Sequence, residues 1–192
     1  MEQQRLMAEA AAGTVKVVSA VRPADLGRPT PCEQYDVEAL LGHLLWVADL
    51  SVAAARRVPP TVEQAPDHLP DDWKPHFESQ VAALVDAWTE PATWEGTTSL
   101  AGTELPAAVA GLIVFCDLVV HGWDLSRALG IDHPWDDDGD VAQATLDVMA
   151  QMGDQGRAMG AFGPAVPVDD DAPALARALA DSGRDPNWTA TA

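Results

Sequence analysis

One apolar stretch of the chain, FCDLVVHGWDL at positions 115–125, contains three ionisable residues at helical spacing. Asp117, His121 and Asp124 are separated by four and three positions, which places them on one face of a helix. Burying such side chains without partners costs several kcal/mol, so this face must meet compensating groups. A carboxylate and an imidazole one turn apart can bind the same metal ion, as in other metal motifs with this spacing.

A further metal ligand would have to come from another part of the chain. His43, in the stretch ALLGHLLWV, follows Leu40 by three residues and precedes Val47 by four, so it shares their apolar face. Helix bundles commonly build metal sites from inward-facing side chains on opposite helices. His43, Asp117 and His121 would supply two nitrogens and one oxygen. They would leave one position for water or substrate, which is typical of catalytic sites.

The spacing alone is equally compatible with a buried polar network that holds no metal. His43 could be a hydrogen-bonded core histidine, and Asp117 with His121 could form a simple ion pair. We expect Asp124 to bond the far nitrogen of a ligating His121 and so to orient the ring. Asp124 could instead bond Arg127 or act as a fourth ligand. These alternatives remain open at this point.

The other residues with chemical potential are expected to have structural roles. Cys32 precedes the second helix and could approach the site, although a small, half-buried thiol is the simpler interpretation. Cys116 is turned away from Asp117 by about a third of a rotation and is predicted to lie in the core. Trp123 is expected to pack, and the remaining histidines are expected to be solvated: His68, His76 and His133.

The apolar periodicity predicts a mostly helical chain. Five long helices are expected at about 2–21, 37–57, 72–90, 106–129 and 141–159, with a short one near 174–181. The stretch TWEGTTSLAGTELP is expected to be loop or short extended structure. No linker divides the chain. We therefore predict an all-α fold over residues 1–192, a single domain built as a four-helix bundle with an additional helix and an irregular C-terminal tail.

Charge and cysteine content limit the classes of function. The net charge of −19 repels phosphate backbones and anionic lipid, so we expect no nucleic-acid and no membrane partner. Two cysteines are too few for a disulfide framework, and no secretory signal is evident at the start, which favours a cytoplasmic location. The expected partner is a small-molecule substrate, and a homodimer is left open.

Three stretches of the chain resemble the DinB-like metal-binding proteins. They are TPCEQYDVEALLGHLLWV, DLVVHGWDLSRALG and the ending FGPAVPVDDDAPALARALADSGRDPNW. More specifically, they are similar to the branch that carries the N-terminal domain of mycothiol-dependent maleylpyruvate isomerase. The similarity extends over nearly the whole chain, and HGWDL on a helix is its most specific element.

The resemblance implies a fold and a metal site. The family folds as an up-down-down-up four-helix bundle. It binds a divalent ion, usually zinc, through a histidine of the second helix and an acid-x-x-x-histidine pair of a later helix. Those positions match His43, Asp117 and His121. Zinc is therefore the expected ion, with nickel, iron and manganese as alternatives. The isomerase itself has glutamate at the acid position, where this chain has the shorter Asp117.

The resemblance also implies small-molecule thiol chemistry. In several family members a low-molecular-weight thiol binds the metal and becomes a nucleophile, because the cation favours the reactive thiolate. We therefore expect an enzyme of mycothiol-type thiol transfer or isomerisation, with the metal-bound thiolate as the reactive group. A metal-bound water would instead make the protein a hydrolase. A non-catalytic, stress-related metal-binding protein is the third alternative.

Overall fold

The computed structural model describes residues 2–190; Met1, Thr191 and Ala192, which the predicted domain includes, lie outside the described residues. Six helices are present in residues 2–190, and they confirm the predicted all-α class. They are α1 (Glu2–Ala20), α2 (Val37–Arg56), α3 (Trp73–Ala87), α4 (Ala107–Leu129), α5 (Asp140–Ala158) and α6 (Ala174–Asp181). Short 3₁₀ turns occupy Pro23–Asp25 and Pro91–Trp94.

The first four helices form a closed bundle. Helix α1 packs against α3 and α4, and α2 packs against the same two helices from the other side. Helix α5 lies outside this bundle, where it contacts α1, α4 and α6. The core between the helices is filled by leucine, valine and tryptophan side chains that are almost inaccessible to solvent. Helices α2 and α4 are therefore in direct contact, and residues on their inward faces can meet.

The ends of α2 and α4 are set by local sequence. Asp36 is the N-cap of α2, and its side chain accepts a hydrogen bond of 2.9 Å from the backbone N–H of Ala39, which satisfies one of the free donors of the first turn. Helix α4 ends at Gly130, which adopts a left-handed conformation with φ of 70°, as glycine does at many helix C-termini. These signals agree with the predicted boundaries.

Trp135 holds α4 close to α1. A Cβ atom at Gly13 or Gly122 would lie only 2.5 or 2.6 Å from the indole ring of Trp135, so glycine is required at both positions. Beside this contact, the hydroxyl of Thr14 donates a hydrogen bond of 2.8 Å to the backbone carbonyl of Leu118. Because Gly122 follows His121 directly, this packing also determines where the His121 side chain is presented.

A short antiparallel hairpin occupies the stretch predicted as loop or short extended structure. Strands β1 (Thr97–Leu100) and β2 (Thr103–Pro106) pair from Thr97 with Pro106 to Leu100 with Thr103. Ala101 and Gly102 have φ values of 48° and 78°, the positive angles that two-residue hairpin turns require. The hairpin attaches to the end of α2 through a hydrogen bond of 2.6 Å from the hydroxyl of Thr98 to the carbonyl of Ala54.

Two helices are long and apolar enough to cross a membrane by length and composition alone. They are α2 and α4, and in each case 72% of the most apolar window is buried within the fold. Core helices of bundles meet the same criterion, because they must present apolar side chains to several neighbours. The apolar character of α2 and α4 is thus accounted for by their contacts with each other and with α1 and α3.

Candidate metal centre

His43 of α2 and the pair Asp117 and His121 of α4 meet inside the bundle. One potential ligand atom from each residue lies within 4.8 Å of the other two. The Nε2 atom of His121 is 3.6 Å from Oδ1 of Asp117. Ligand atoms around a tetrahedral zinc ion are about 3.3 Å apart, so small side-chain adjustments would bring all three to coordination distance.

A hydrogen bond to Asp124 orients His121. The Nδ1 atom of His121 lies 2.9 Å from Oδ2 of Asp124, whose side chain is fully buried. With a carboxylate as its partner, Nδ1 is a donor, and in a neutral ring Nε2 would present its lone pair toward Asp117. Metal-binding histidines commonly have this arrangement, since the carboxylate fixes the tautomer and makes the ring a better ligand.

Arg184 from the C-terminal tail completes the arrangement behind His121. Its guanidinium donates to Asp124 at 3.1 Å and to the carbonyl of Ser182 at 3.2 Å, and the residue is only 7% exposed. Burial opposes the charged form of the guanidinium, but the adjacent Asp124 more than compensates and raises the pKa of Arg184 above its ordinary value. The negative charge on Asp124 is therefore balanced by Arg184 as well as by the N–H of His121.

His43 is half-buried, and one of its ring nitrogens has no partner. Its Nε2 atom is inaccessible to solvent and has no hydrogen-bond partner among the described residues. Burial lowers the pKa of His43 to about 4, although the nearby Asp117 acts in the opposite direction. The ring is consequently neutral at physiological pH, which is the form that binds metal ions. The three side chains thus fit a divalent cation in number and type, and His43 does so in protonation state as well.

Aromatic rings enclose the histidines, and a cavity lies next to them. The ring of Tyr35 stacks on His43 with centroids 5.3 Å apart, and it lies edge-on to His121 at 6.4 Å. Tyr35 also lines a surface cavity of about 510 Å³, together with Cys32 and Trp188. The described residues that line the cavity do not include His43, Asp117 or His121, so Tyr35 is the link between the cavity and the candidate metal centre.

Comparison with known proteins assigns the family. Residues 7–126, well over half of the chain, match the family model described as the mycothiol maleylpyruvate isomerase N-terminal domain. The chain belongs to this family. The predicted resemblance to this family is thus confirmed; the matched residues include the first of the three stretches and most of the second, and they end before the C-terminal one. No curated protein matches the chain.

Solved structures of the mycothiol-dependent maleylpyruvate isomerase share the fold. A histidine-to-alanine mutant of that enzyme is 19% identical, with a TM-score of 0.64, and another crystal structure of it is 21% identical, with a TM-score of 0.62. Each alignment covers 99% of this chain and 80% of the other. At this level of identity the comparison shows that the architecture is common to both proteins.

The two cysteines of this family member differ in their surroundings. Cys116 is buried in the core, as predicted. Cys32 is half-buried, and its sulfur lies within 4.8 Å of a ring nitrogen of His121 and a carboxylate oxygen of Asp124. Cys32 is thus the small, half-buried thiol that the sequence favoured, and it lies beside His121 and Asp124.

Two further interpretations from the sequence are corrected. His133 is not solvated: it stacks on Trp135, its Nδ1 is buried, and its Nε2 lies 3.2 Å from Asp137. His68 and His76 are exposed, as predicted, and Trp123 is packed in the core. Arg127 does not bond Asp124, because its guanidinium donates to the carbonyl of Trp188 instead.

Arg184 was missed in the sequence analysis. It lies 60 residues beyond Asp124 in an irregular, proline-punctuated tail, where no periodicity indicates which side chains point inward.

Proposed function

We propose that the protein is an enzyme that binds one divalent metal ion, zinc in the first instance, through His43, Asp117 and His121. Its reaction would be transfer or isomerisation with a low-molecular-weight thiol of the mycothiol type as cosubstrate. The family supports the thiol, because the solved isomerase structures with this fold are mycothiol-dependent. The buried, unpartnered Nε2 of His43 is the single observation that carries the metal site.

The electrostatics of the three side chains favour a cation between them. Nε2 of His121 and the carboxylate of Asp117 face each other at 3.6 Å, and both are acceptors when Nδ1 of His121 carries the ring proton. Facing acceptors without a shared donor repel each other, and His43 is neutral and offers no charge to relieve them. A divalent ion would satisfy all three groups at once.

The residues around the candidate ligands would orient and cover them. Asp124 and Arg184 hold the His121 ring in one tautomer and one orientation. Tyr35 covers one face of His43 and separates it from solvent. When bound, the metal would favour the thiolate form of the cosubstrate and orient its sulfur next to the cavity at Tyr35.

A buried polar network without metal is the alternative that a specific observation favours. His121 lies between Asp117 at 3.6 Å and Asp124 at 2.9 Å, so a doubly protonated ring could pair with both carboxylates. This alternative explains His121 but leaves Nε2 of His43 unsatisfied. It predicts a protein that contains no metal and gains no stability from added zinc.

Elemental analysis of untagged protein tests the metal site. We expect roughly one divalent ion per chain, because three protein ligands with an open fourth position form one mononuclear site. Zinc added to metal-free protein, at a free concentration about 100 times the Kd of the site, should raise the free energy of unfolding by about 2.7 kcal/mol. His121→Ala should lose both effects.

His76→Ala is the matched control, because His76 is an exposed histidine on α3 that bonds only Gln80. It should retain the ion and the stabilisation by zinc. Thiol chemistry is tested separately: the visible spectrum of cobalt-substituted protein should change when mycothiol is added. Metal-free protein with no response to zinc would support the polar network, and bound metal with no response to mycothiol would refute the thiol reaction.

A further inference from the structure

The two candidate histidine ligands are held in place in different ways. The ring of His121 is fixed by its hydrogen bond of 2.9 Å to Asp124, the kind of contact that usually orients a metal-binding histidine. Nε2 of His43 has no hydrogen-bond partner among residues 2–190, so hydrogen bonding at this atom does not fix the ring. A different contact is therefore needed to orient His43.

Aromatic rings supply that contact. Tyr35 stacks on His43 with ring centroids 5.3 Å apart and planes inclined by 26°. Trp46, three residues further along α2, lies 6.0 Å from the His43 ring at 57°, and His121 meets the ring edge-on at 4.9 Å. Stacked and edge-to-face pairs at such separations are favourable. Of these three rings, Tyr35 lies closest to parallel with His43, so it restricts the tilt of the imidazole plane most directly.

The backbone of Tyr35 is held on both sides. Its N–H donates a hydrogen bond of 2.9 Å to the carbonyl of Cys32, and its carbonyl accepts one of 2.7 Å from the hydroxyl of Thr30. The next residue, Asp36, is the N-cap of α2. Because α2 also carries His43, the Tyr35 ring is presented to the imidazole from a fixed point at the start of the same helix.

The Tyr35 side chain presents an uncharged aromatic face. Burial raises the pKa of its phenol above the ordinary value, and the nearby Cys32 and Asp117 act in the same direction. The phenol therefore stays protonated at physiological pH. Its contribution to His43 is consequently packing rather than charge.

We propose that Tyr35 is the positioning residue of His43, and that its ring holds the imidazole in the orientation in which it meets Asp117 and His121. This inference rests on the proposed metal site. Asp124 orients His121 by a hydrogen bond, and Tyr35 orients His43 by stacking. The aromatic ring is the part of Tyr35 that this role requires, so phenylalanine should replace the tyrosine without loss, whereas leucine should not.

Zinc titration of the full chain gives the first test. Tyr35→Phe keeps the ring, and Tyr35→Leu removes it but leaves an apolar residue before the N-cap. Phe162→Leu is the matched control, because Phe162 is a half-buried ring that packs against Gly156 of α5. Zinc affinity should fall about two- to tenfold in Tyr35→Leu, as expected for one lost aromatic pair. It should stay at the wild-type level in Tyr35→Phe and Phe162→Leu.

The NMR signal of the Cε1–H proton of His43 gives a second test in protein treated with EDTA. This signal is identified as the one that is missing from His43→Gln. A ring stacked on the imidazole shifts the signal upfield through its ring current. The signal should therefore lie close to its wild-type position in Tyr35→Phe and Phe162→Leu, and it should move downfield in Tyr35→Leu.

The possible outcomes separate this inference from the proposed metal site. If wild type binds no zinc, the metal site is refuted, and the NMR signals alone decide whether Tyr35 orients His43. If wild type binds zinc and Tyr35→Leu binds it equally tightly, the metal site stands and the role of Tyr35 is overturned. An unmoved His43 signal in Tyr35→Leu also overturns it. A loss of affinity in Tyr35→Phe as large as that in Tyr35→Leu would do the same, because the hydroxyl and not the ring would then be required.

Discussion

Asp49 and His43 lie on the same helix, six residues apart, and their polar atoms are held in opposite ways. The carboxylate of Asp49 accepts hydrogen bonds from the backbone N–H groups of Thr61 and Val62, at 2.8 and 3.1 Å, and from the hydroxyl of Thr61. Nε2 of His43 is buried and has no partner in the part of the chain that the structure describes. Asp49 anchors a loop, whereas one ring nitrogen of His43 has no protein partner among the described residues.

This difference separates structural polar residues from candidate ligands. A buried polar group that is fully satisfied contributes to stability and needs no further explanation. One that is left unpaired costs free energy. The buried nitrogens of Trp46, His133 and Trp135 are also unpaired, so His43 is a candidate ligand because it lies beside Asp117 and His121 as well. Asp124 belongs with Asp49, because it is paired with His121 and Arg184. The unsatisfied group consists of His43 and of the side of the His121 ring that carries Nε2.

The largest expected effect follows from breaking a satisfied ion pair. Arg184→Met leaves the fully buried Asp124 without its counter-charge, and loss of one partner from a buried pair typically costs about 3–5 kcal/mol. Because Asp124 also orients His121, zinc affinity should fall by about 10–100-fold. Chemical denaturation with and without zinc, together with a zinc titration, measures both quantities.

Arg127→Met is the matched control for that variant. Arg127 also contacts the tail, but its guanidinium donates to the carbonyl of Trp188 and, within residues 2–190, to no carboxylate. We expect a loss of about 1 kcal/mol, as for an ordinary hydrogen bond, and unchanged zinc affinity. If Arg184→Met were no more destabilising than Arg127→Met, the proposed charge balance at Asp124 would be incorrect.

A smaller effect is expected from the anchor on α2. Asp49→Ala removes the acceptor of two backbone N–H groups and one hydroxyl, and hydrogen bonds to a charged group contribute about 2 kcal/mol. The loss is limited because Thr61 and Val62 are exposed and can bond water instead. Denaturation should show this destabilisation, and zinc binding should remain at the wild-type level.

His43→Leu provides the reciprocal variant. Replacing an unpaired polar ring with an apolar side chain should leave the stability of metal-free protein unchanged or improve it, while zinc binding should be lost. Asp49→Ala would then lower stability without affecting zinc binding, and His43→Leu would abolish zinc binding without lowering stability. A His43→Leu variant that is strongly destabilised without metal would contradict the assignment of His43 to the unsatisfied group.

The parts of the site that are local in sequence were predictable. The spacing of Asp117, His121 and Asp124 on α4 follows from helix geometry alone, and the structure places all three together. The inward position of His43 followed from the apolar residues around it. That His43 meets α4 depended on the resemblance to the family, because periodicity shows which face is buried but not which helix lies opposite.

The parts that depend on irregular segments were not predictable. Arg184 and Cys32 reach the site from a tail and a loop, where side-chain direction is set by turns and long-range packing. The hairpin at Thr97–Pro106 was expected only as short extended structure, because four-residue strands are too short for a clear alternation. His133 looked solvated in an acidic loop, yet the packing of Trp135 between α1 and α4 draws it toward the core.

The smallest expected effect is a pH dependence of stability in metal-free protein. The pKa of His43 is about 4 in the folded state because of burial, with Asp117 opposing the shift, and its ordinary value is 6.5. Between these values the unfolded chain binds a proton that the folded chain does not, so stability falls as the pH is lowered. From pH 7 to pH 6 the loss of stability due to His43 should be about 0.7 kcal/mol.

Denaturation of wild type and His43→Gln in EDTA at both pH values isolates this contribution. Equal losses in the two proteins would mean that His43 is not held neutral by burial, and the distinction between His43 and Asp49 would then lose its basis.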